Sequence, residues 1–253
     1  MYDVRQSYDV RVTEPVPAPL VWDLPAGTRE AGQRLSRPAI VAAAIRIADE
    51  EGEQAVTMRR VARELGSSTP MSLYRYVGSK DGIVDLMIDE VFGRIGLPEE
   101  PEPEWWAAMR TLATLSRATL RRHAWFTALS HQRPLFGPCA LRHNEWSLAA
   151  LSGLRLPMAT SMSVAGMVFG YAVAFAQNEA EESRMRARVG LATDAQLRAV
   201  AAPYIERIRA TGRYPLLSQY LLEGGSDDPD AQFDLGLECL LDGIFHRIVR
   251  RDA

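Results

Sequence analysis

Thr57-Met58-Arg59-Arg60-Val61-Ala62-Arg63-Glu64-Leu65-Gly66, followed by Met71-Ser72-Leu73-Tyr74-Arg75-Tyr76-Val77-Gly78-Ser79-Lys80-Asp81, decides the fold. Two short amphipathic helices joined by a glycine turn need a small residue where they cross and apolar anchors on each. Ala62 and Gly66, with Val61, Leu65 and Leu73 as anchors, meet that need. The remaining face of the second helix, with Thr69, Met71, Ser72, Arg75 and Tyr76, offers hydrogen-bonding and methyl-contacting groups suited to base edges in a major groove. Between Thr57 and Lys80 five basic side chains face the single Glu64, although the whole chain carries a net charge of −3. For a nucleic-acid binder this distribution says more than the sum.

Working outward, Ser36 is a fitting N-cap with Pro38 in the first turn, and Ile40, Ala44, Ile47 and Ala48 recur at helical spacing up to Gly52. Thr57 caps the next helix. Ser79 caps another, whose Ile83, Leu86, Met87 and Val91 form an apolar stripe. The run Leu97-Pro98-Glu99-Glu100-Pro101-Glu102-Pro103 stops that helix and marks a domain boundary. Beyond it, helical patterns lie near 104–122, 124–131, 138–152, 157–181, 193–211, 214–222 and 230–250, and no β alternation competes. The fold class is therefore all-α. Residues 36–96 are expected to form a helix-turn-helix DNA-binding domain, and 104–253 a larger helical domain for effector binding and dimerisation. Residues 1–35, broken by Pro15, Pro17, Pro19 and Pro25, are expected to be a disordered arm.

The 253 residues, 47% hydrophobic and 24% charged, suffice for a proper core. With no run of about 18 apolar residues and no secretory leader, no membrane span is expected and a cytoplasmic location follows. Cys139 and Cys239 stand far apart without metal-ligand spacing and are expected to be small buried apolar groups. No cofactor or metal is expected. No GxSxG, HExxH or glycine-rich phosphate loop occurs, so the chain is not read as an enzyme. His123 and His246, beside arginines at helix ends, are expected to be solvated.

The quoted stretch, with its Leu-Tyr-x-x-Val-x-x-Lys string at 73–80, resembles the tetracycline-repressor family over about 60 residues, Ser36 to Ile95. Arg133-Pro134-Leu135-Phe136-Gly137-Pro138 before Leu141-Arg142-His143 is similar to that family's regulatory domain. So is Phe233-Asp234-Leu235-Gly236-Leu237-Glu238 with Leu241-Asp242-Gly243-Ile244. The resemblance implies that Arg59 reaches a base, that Tyr74 and Lys80 contact phosphates, and that Thr57 adds its hydroxyl or the helix N-terminus. One departure stands out: seven residues rather than six separate Gly66 from Tyr74. Which of Thr69, Pro70 and Met71 meets a base is left open by it.

In the larger domain an aromatic and methionine wall with a few polar tips is what a small-molecule pocket between helices needs. His143 and Trp146, with Met167, Tyr171, Phe175 and Asn178 on one face of a long helix, are the expected ligand-binding residues. Arg133 or Arg142 could turn inward and hold one carboxylate. The wide apolar face Phe233, Leu237, Leu240, Leu241, Ile244, Phe245, Ile248 belongs to the last helix. By the family's pattern this helix and 157–178 would build a four-helix interface between two subunits. The expected function is a homodimeric repressor on a palindromic operator in double-stranded DNA, released by a small, mainly apolar effector. An activator or ligand-independent regulator of the same fold is the alternative. A helical enzyme with a vestigial helix-turn-helix is disfavoured by the missing catalytic groups.

Overall fold

Capping and apolar periodicity place the helices where the sequence leads one to look. The computed structural model describes residues 20–24, 35–66, 69–130, 133, 135–191, 193–223 and 228–249. Eleven α-helices occur among them: α1 (Arg37–Glu51), α2 (Met58–Glu64), α3 (Met71–Val77), α4 (Lys80–Arg94), α5 (Trp105–Leu120), α6 (Phe126–Ser130), α7 (Pro138–Leu151), α8 (Met158–Val189), α9 (Asp194–Ala210), α10 (Pro215–Glu223) and α11 (Pro229–Ile244). No strand is found among the described residues.

The expected caps operate. The Ser36 hydroxyl accepts from the Ala39 amide at 3.3 Å, Thr57 from Arg60 at 3.1 Å and Ser79 from Gly82 at 2.9 Å. Each satisfies an amide that a helix start leaves without an intrahelical partner. Gly52 closes α1 at φ +85°, a conformation that a side chain would strain. Helix α8 runs further than its apolar pattern suggests, to Val189, where Gly190 in the left-handed conformation ends it.

Helices α1 to α4 wrap around Ile40, Ile45, Ile47, Val61, Leu73, Val77, Ile83 and Met87, all essentially inaccessible. This core does not stop at the domain boundary. It continues through Phe92 into Trp125, Phe126, Ala140 and Ala176 of the larger domain. A second core joins α5, α7, α8 and α11 around Met109, Leu112, Leu151, Val168, Phe233 and Leu237.

The disordered arm expected over 1–35 is not what the structure has at 20–24. There, Val21–Asp23 form a 3-10 turn with Val21 buried against the helix-turn-helix core. Arg37 holds the segment by donating to the Leu24 carbonyl at 3.0 Å and the Tyr76 carbonyl at 2.9 Å. The rest of that expectation lies outside the described residues.

Close approach decides one glycine. A Cβ at Gly82, in the first turn of α4, would run into the Val77 backbone carbonyl and crowd the Val21 side chain. Backbone cannot rotate away, so Gly82→Ala should destabilise the fold by about 1–3 kcal/mol despite alanine's better helix propensity. Thermal unfolding of the two proteins side by side checks this.

Candidate nucleic-acid interface and effector cavity

Helix α3 turns Leu73, Tyr76 and Val77 into the core and leaves Met71, Tyr74 and Arg75 outside. Met71, 74% exposed at the first position of α3, is the most prominent side chain of this face. Thr69 precedes the helix, exposed. Arg59, Thr57 and Lys80 are exposed as well. Ser72 is half-buried, and its hydroxyl donates to the Thr69 carbonyl at 2.8 Å.

Tyr76 departs from expectation. It is 3% exposed, and its ring is part of the core rather than of the reading face. Its hydroxyl accepts from Arg75 at 2.8 Å, whose guanidinium lies 4.8 Å from the ring centroid. Tyr76 therefore orients Arg75 instead of meeting a base edge. The extra residue between Gly66 and Tyr74 falls in a turn of which 67 and 68 lie outside the described residues.

The basic side chains are not equally available. Arg60 is clamped by Glu51 at 2.6 Å and Glu64 at 2.7 Å, and these hydrogen bonds raise its already high pKa. Arg59, Arg63 and Lys80 form no ion pair among the described residues. With Arg75, which likewise forms no ion pair among the described residues, they carry the uncompensated positive charge of the helix-turn-helix surface.

The expected ligand-binding residues divide. His143 and Trp146 border a cavity of about 700 Å³ between the end of α4, the Leu97–Pro101 linker and α7. Tyr171 and Phe175 lie elsewhere. They pack on Phe233, the Tyr171 hydroxyl donates to the Phe233 carbonyl at 2.9 Å, and Arg117 lies over the Phe233 ring at 4.5 Å while pairing with Glu179 at 2.6 Å. Met167 and Asn178 are on the exposed side of α8. Helical spacing sets the four α8 residues on one side of the helix, but none of them lines this cavity: two pack on Phe233 and two are exposed.

Phe92, Gly93 and the proline-rich linker complete the cavity wall. In the sequence the linker signals only a domain boundary, and nothing there marks Phe92 or Gly93 as cavity wall. His143 is 5% exposed, edge-on to Phe92 and Phe169 with centroids 5.0 and 4.8 Å away. The Asn144 side chain is the one polar group that favours the protonated form of His143, and the indole Nε1 of Trp146 has no hydrogen-bond partner among the described residues. Burial pulls the imidazole pKa from 6.5 down to about 4, so it is uncharged at neutral pH.

Helix α4 is tied to this domain by polar contacts. Asp89, buried in its apolar stripe, accepts from the Cys139 and Ala140 amides at 2.9 Å each, capping the N-terminus of α7. Desolvation nevertheless raises its pKa. A Cβ at Gly137 would collide with the Asp89 carboxylate, so only glycine admits this approach. Arg133 binds Asp85 and Asp81 of α4 and does not turn to the cavity. Asp49 of α1 accepts from the Trp125 indole at 2.6 Å and lies 2.8 Å from His123 Nδ1. His123 is thus buried and paired rather than solvated, whereas His246 is exposed. Cys139 is half-buried and Cys239 exposed, against the expectation that both are core residues.

Residues 97–248 match the family description "Tetracyclin repressor-like, C-terminal domain", and residues 40–87 match "Bacterial regulatory proteins, tetR family". The chain belongs to the tetracycline-repressor family. It is 34% identical to the HTH-type transcriptional repressor DrrR1 of Streptomyces coeruleorubidus, over 92% of this chain and 86% of that one. It is 31% identical to an HTH-type transcriptional regulator of Saccharopolyspora erythraea, over 88% and 90%. Among solved structures, the Streptomyces coelicolor family member ActR in complex with actinorhodin superposes with a TM-score of 0.68, at 27% identity, covering 84% of this chain and 97% of that one.

The depressed His143 pKa carries a sign. An unfolded imidazole takes its proton near pH 6.5, and the folded one refuses it until about pH 4. Stability present above pH 6.5 is therefore lost as the pH falls toward 4, by up to about 3 kcal/mol from this group. Thermal unfolding across that range should show His143→Phe with a correspondingly shallower decline than the parent.

Proposed function

We propose that this chain is a ligand-responsive transcriptional repressor, acting in the cytoplasm as a homodimer on a palindromic operator. A small, mainly apolar effector in the 700 Å³ cavity releases it. One observation carries the reading: α4 belongs to both halves of the mechanism. Its first turns pack in the helix-turn-helix core, and its last turn, Phe92 and Gly93, is cavity wall. A molecule entering the cavity must touch the helix that orients the reading head.

The dimer rests on uncovered apolar surface. Helix α8 is long and apolar enough to cross a membrane, although no span is expected from the sequence. Only 28% of its apolar stretch is covered by the rest of the chain. Met162 and Met167 are exposed, and open space lies beside Gly166 and Gly170. On neighbouring α11, Leu235 is 65% exposed and Gly243 faces open space. Small residues let helices of a second copy approach closely, and an exposed patch of this kind marks an interface. Two copies present two α3 helices to successive major grooves, one helical turn or about 34–36 Å apart.

In the DNA-competent state that spacing fits the operator. An effector that prefers the other state displaces α4 against α7 and spoils it. A coupling of about 1–3 kcal/mol weakens operator binding by roughly 5–150-fold.

Four variants test the reading. Arg59→Ala relaxes preference at one operator position at a cost of about 1–3 kcal/mol, whereas Lys80→Ala weakens all sequences alike and lowers the salt slope by about 1. A panel of operator variants titrated at several salt concentrations separates the two. Asp89→Asn keeps operator binding but loses at least about 1 kcal/mol of the effector's leverage, read as operator affinity with and without effector. Met167→Glu sets like charges against each other across the twofold interface. Sedimentation should show monomers, and operator affinity should fall with them.

A further inference from the structure

The stretch Leu20-Val21-Trp22-Asp23-Leu24, ahead of α1, borders both the helix-turn-helix core and the contact between α4 and the start of α7. Resting on the reading above that the seat of α4 governs operator binding, we infer that this stretch is a latch. Its Trp22 holds α4 against the start of α7, and is a positioning residue for the operator complex without meeting DNA.

One part of the latch lies on the reading head. Val21 is buried in the helix-turn-helix core, and Leu24 packs against that core. A Cβ at Gly78, which ends α3, would stand 2.8 Å from Leu24 Cδ1, and one at Gly82, in the first turn of α4, 3.2 Å from Val21 Cγ2. The two glycines thus leave the latch a bed across the α3–α4 turn. Arg37 donates to the Leu24 and Tyr76 carbonyls together, which ties the latch to the last turn of α3. Ordering a short segment costs conformational entropy, and the buried apolar surface and these hydrogen bonds offset it.

The other part lies at the α4–α7 contact. Trp22, half-buried, shares a crevice with Asp85, Ile88 and Asp89 of α4 and with Leu135, Gly137 and Ala140 on the α7 side. The crevice measures about 10 Å³, at the limit of one water molecule. Asp89, in its wall, accepts from the Cys139 and Ala140 amides, and water admitted there would compete for them. An indole in this place keeps water out, and α4 cannot shift along α7 without displacing it. The stretch has no basic side chain and its one charge, Asp23, is exposed, so it offers a phosphate backbone nothing to bind.

The Cys139 and Ala140 amides lie in the first turn of α7, where a helix provides no acceptor of its own, so their hydrogen exchange reports the Asp89 contact. Trp22→Ala in the full chain should speed exchange at both at least roughly tenfold. Val168 and Ala172, in the second core, should keep the parent's rates. Binding to a DNA site selected by the parent chain from a random pool should weaken at least roughly fivefold. Trp22→Phe, which keeps an aromatic ring in the crevice, should lie between the alanine variant and the parent in both measurements. Unchanged exchange at Cys139 and Ala140, or exchange accelerated equally at Val168 and Ala172, overturns the inference. Weaker DNA binding with unchanged exchange also overturns it, because Trp22 would then act on the DNA itself. Local acceleration without loss of DNA binding supports the latch and removes the reading that the seat of α4 governs the operator complex.

Discussion

Asp89 sits where a carboxylate has no intrinsic reason to be, on the buried face of α4 between Ile88 and Val91. Its charge is balanced by the amides of Cys139 and Ala140, which begin α7. Removing a carboxylate from water is unfavourable unless donors replace the water, and a helix N-terminus supplies both donors and a favourable dipole. The contact therefore holds only while α4 and α7 keep their present relation. Gly137 makes the approach sterically possible, and Arg133, in the segment before α7, pairs with Asp85 and Asp81 one and two turns earlier on α4. Much else in the larger domain is arranged around this joint. The cavity lies directly beyond it, walled by the same two helices.

A joint of this type suits a switch better than an apolar contact would. Apolar surfaces slide at modest cost, whereas a buried carboxylate is either capped or exposed to a large penalty, so intermediate positions are disfavoured. Two discrete arrangements are what a small molecule needs if its binding is to be felt at the reading head. The continuous core through Phe92, Trp125 and Phe126 and the Asp49 contacts to Trp125 and His123 hold the rest of the boundary. Motion is thereby directed into the α4–α7 contact rather than dispersed over a loose interface.

The fold was legible because its signals are local. Ser36, Thr57 and Ser79 announce helix starts, Gly52 a helix end, and the 97–103 proline run a boundary; each acts within a few residues of itself. The outward face of α3 was readable from period alone, except for Tyr76. That tyrosine lies three residues after Leu73 on the same buried side, and its polar tip made it look like a reading residue. The cavity was half legible. His143 and Trp146 were found as polar-tipped aromatics, but Tyr171 and Phe175 answer to Phe233 and Arg117, about sixty residues away in either direction, a pairing that no periodicity encodes. Asp89 carries no mark of its own beside Glu90 in the stretch Ile88 to Phe92, because its meaning depends on where α7 begins in space.

The α4–α7 contact can be locked directly. A Cβ at Gly93 would stand 3.8 Å from the Cys139 Cβ, the separation typical of a disulfide. In Gly93→Cys, with Cys239 changed to serine, oxidation should staple α4 to α7 next to the cavity. Operator affinity is then measured with and without a compound that releases the reduced protein. The account predicts that the oxidised form holds one affinity whatever the compound's concentration, and that reductant restores the response. An oxidised protein that still binds the compound and releases operator as fully as the reduced one would contradict it.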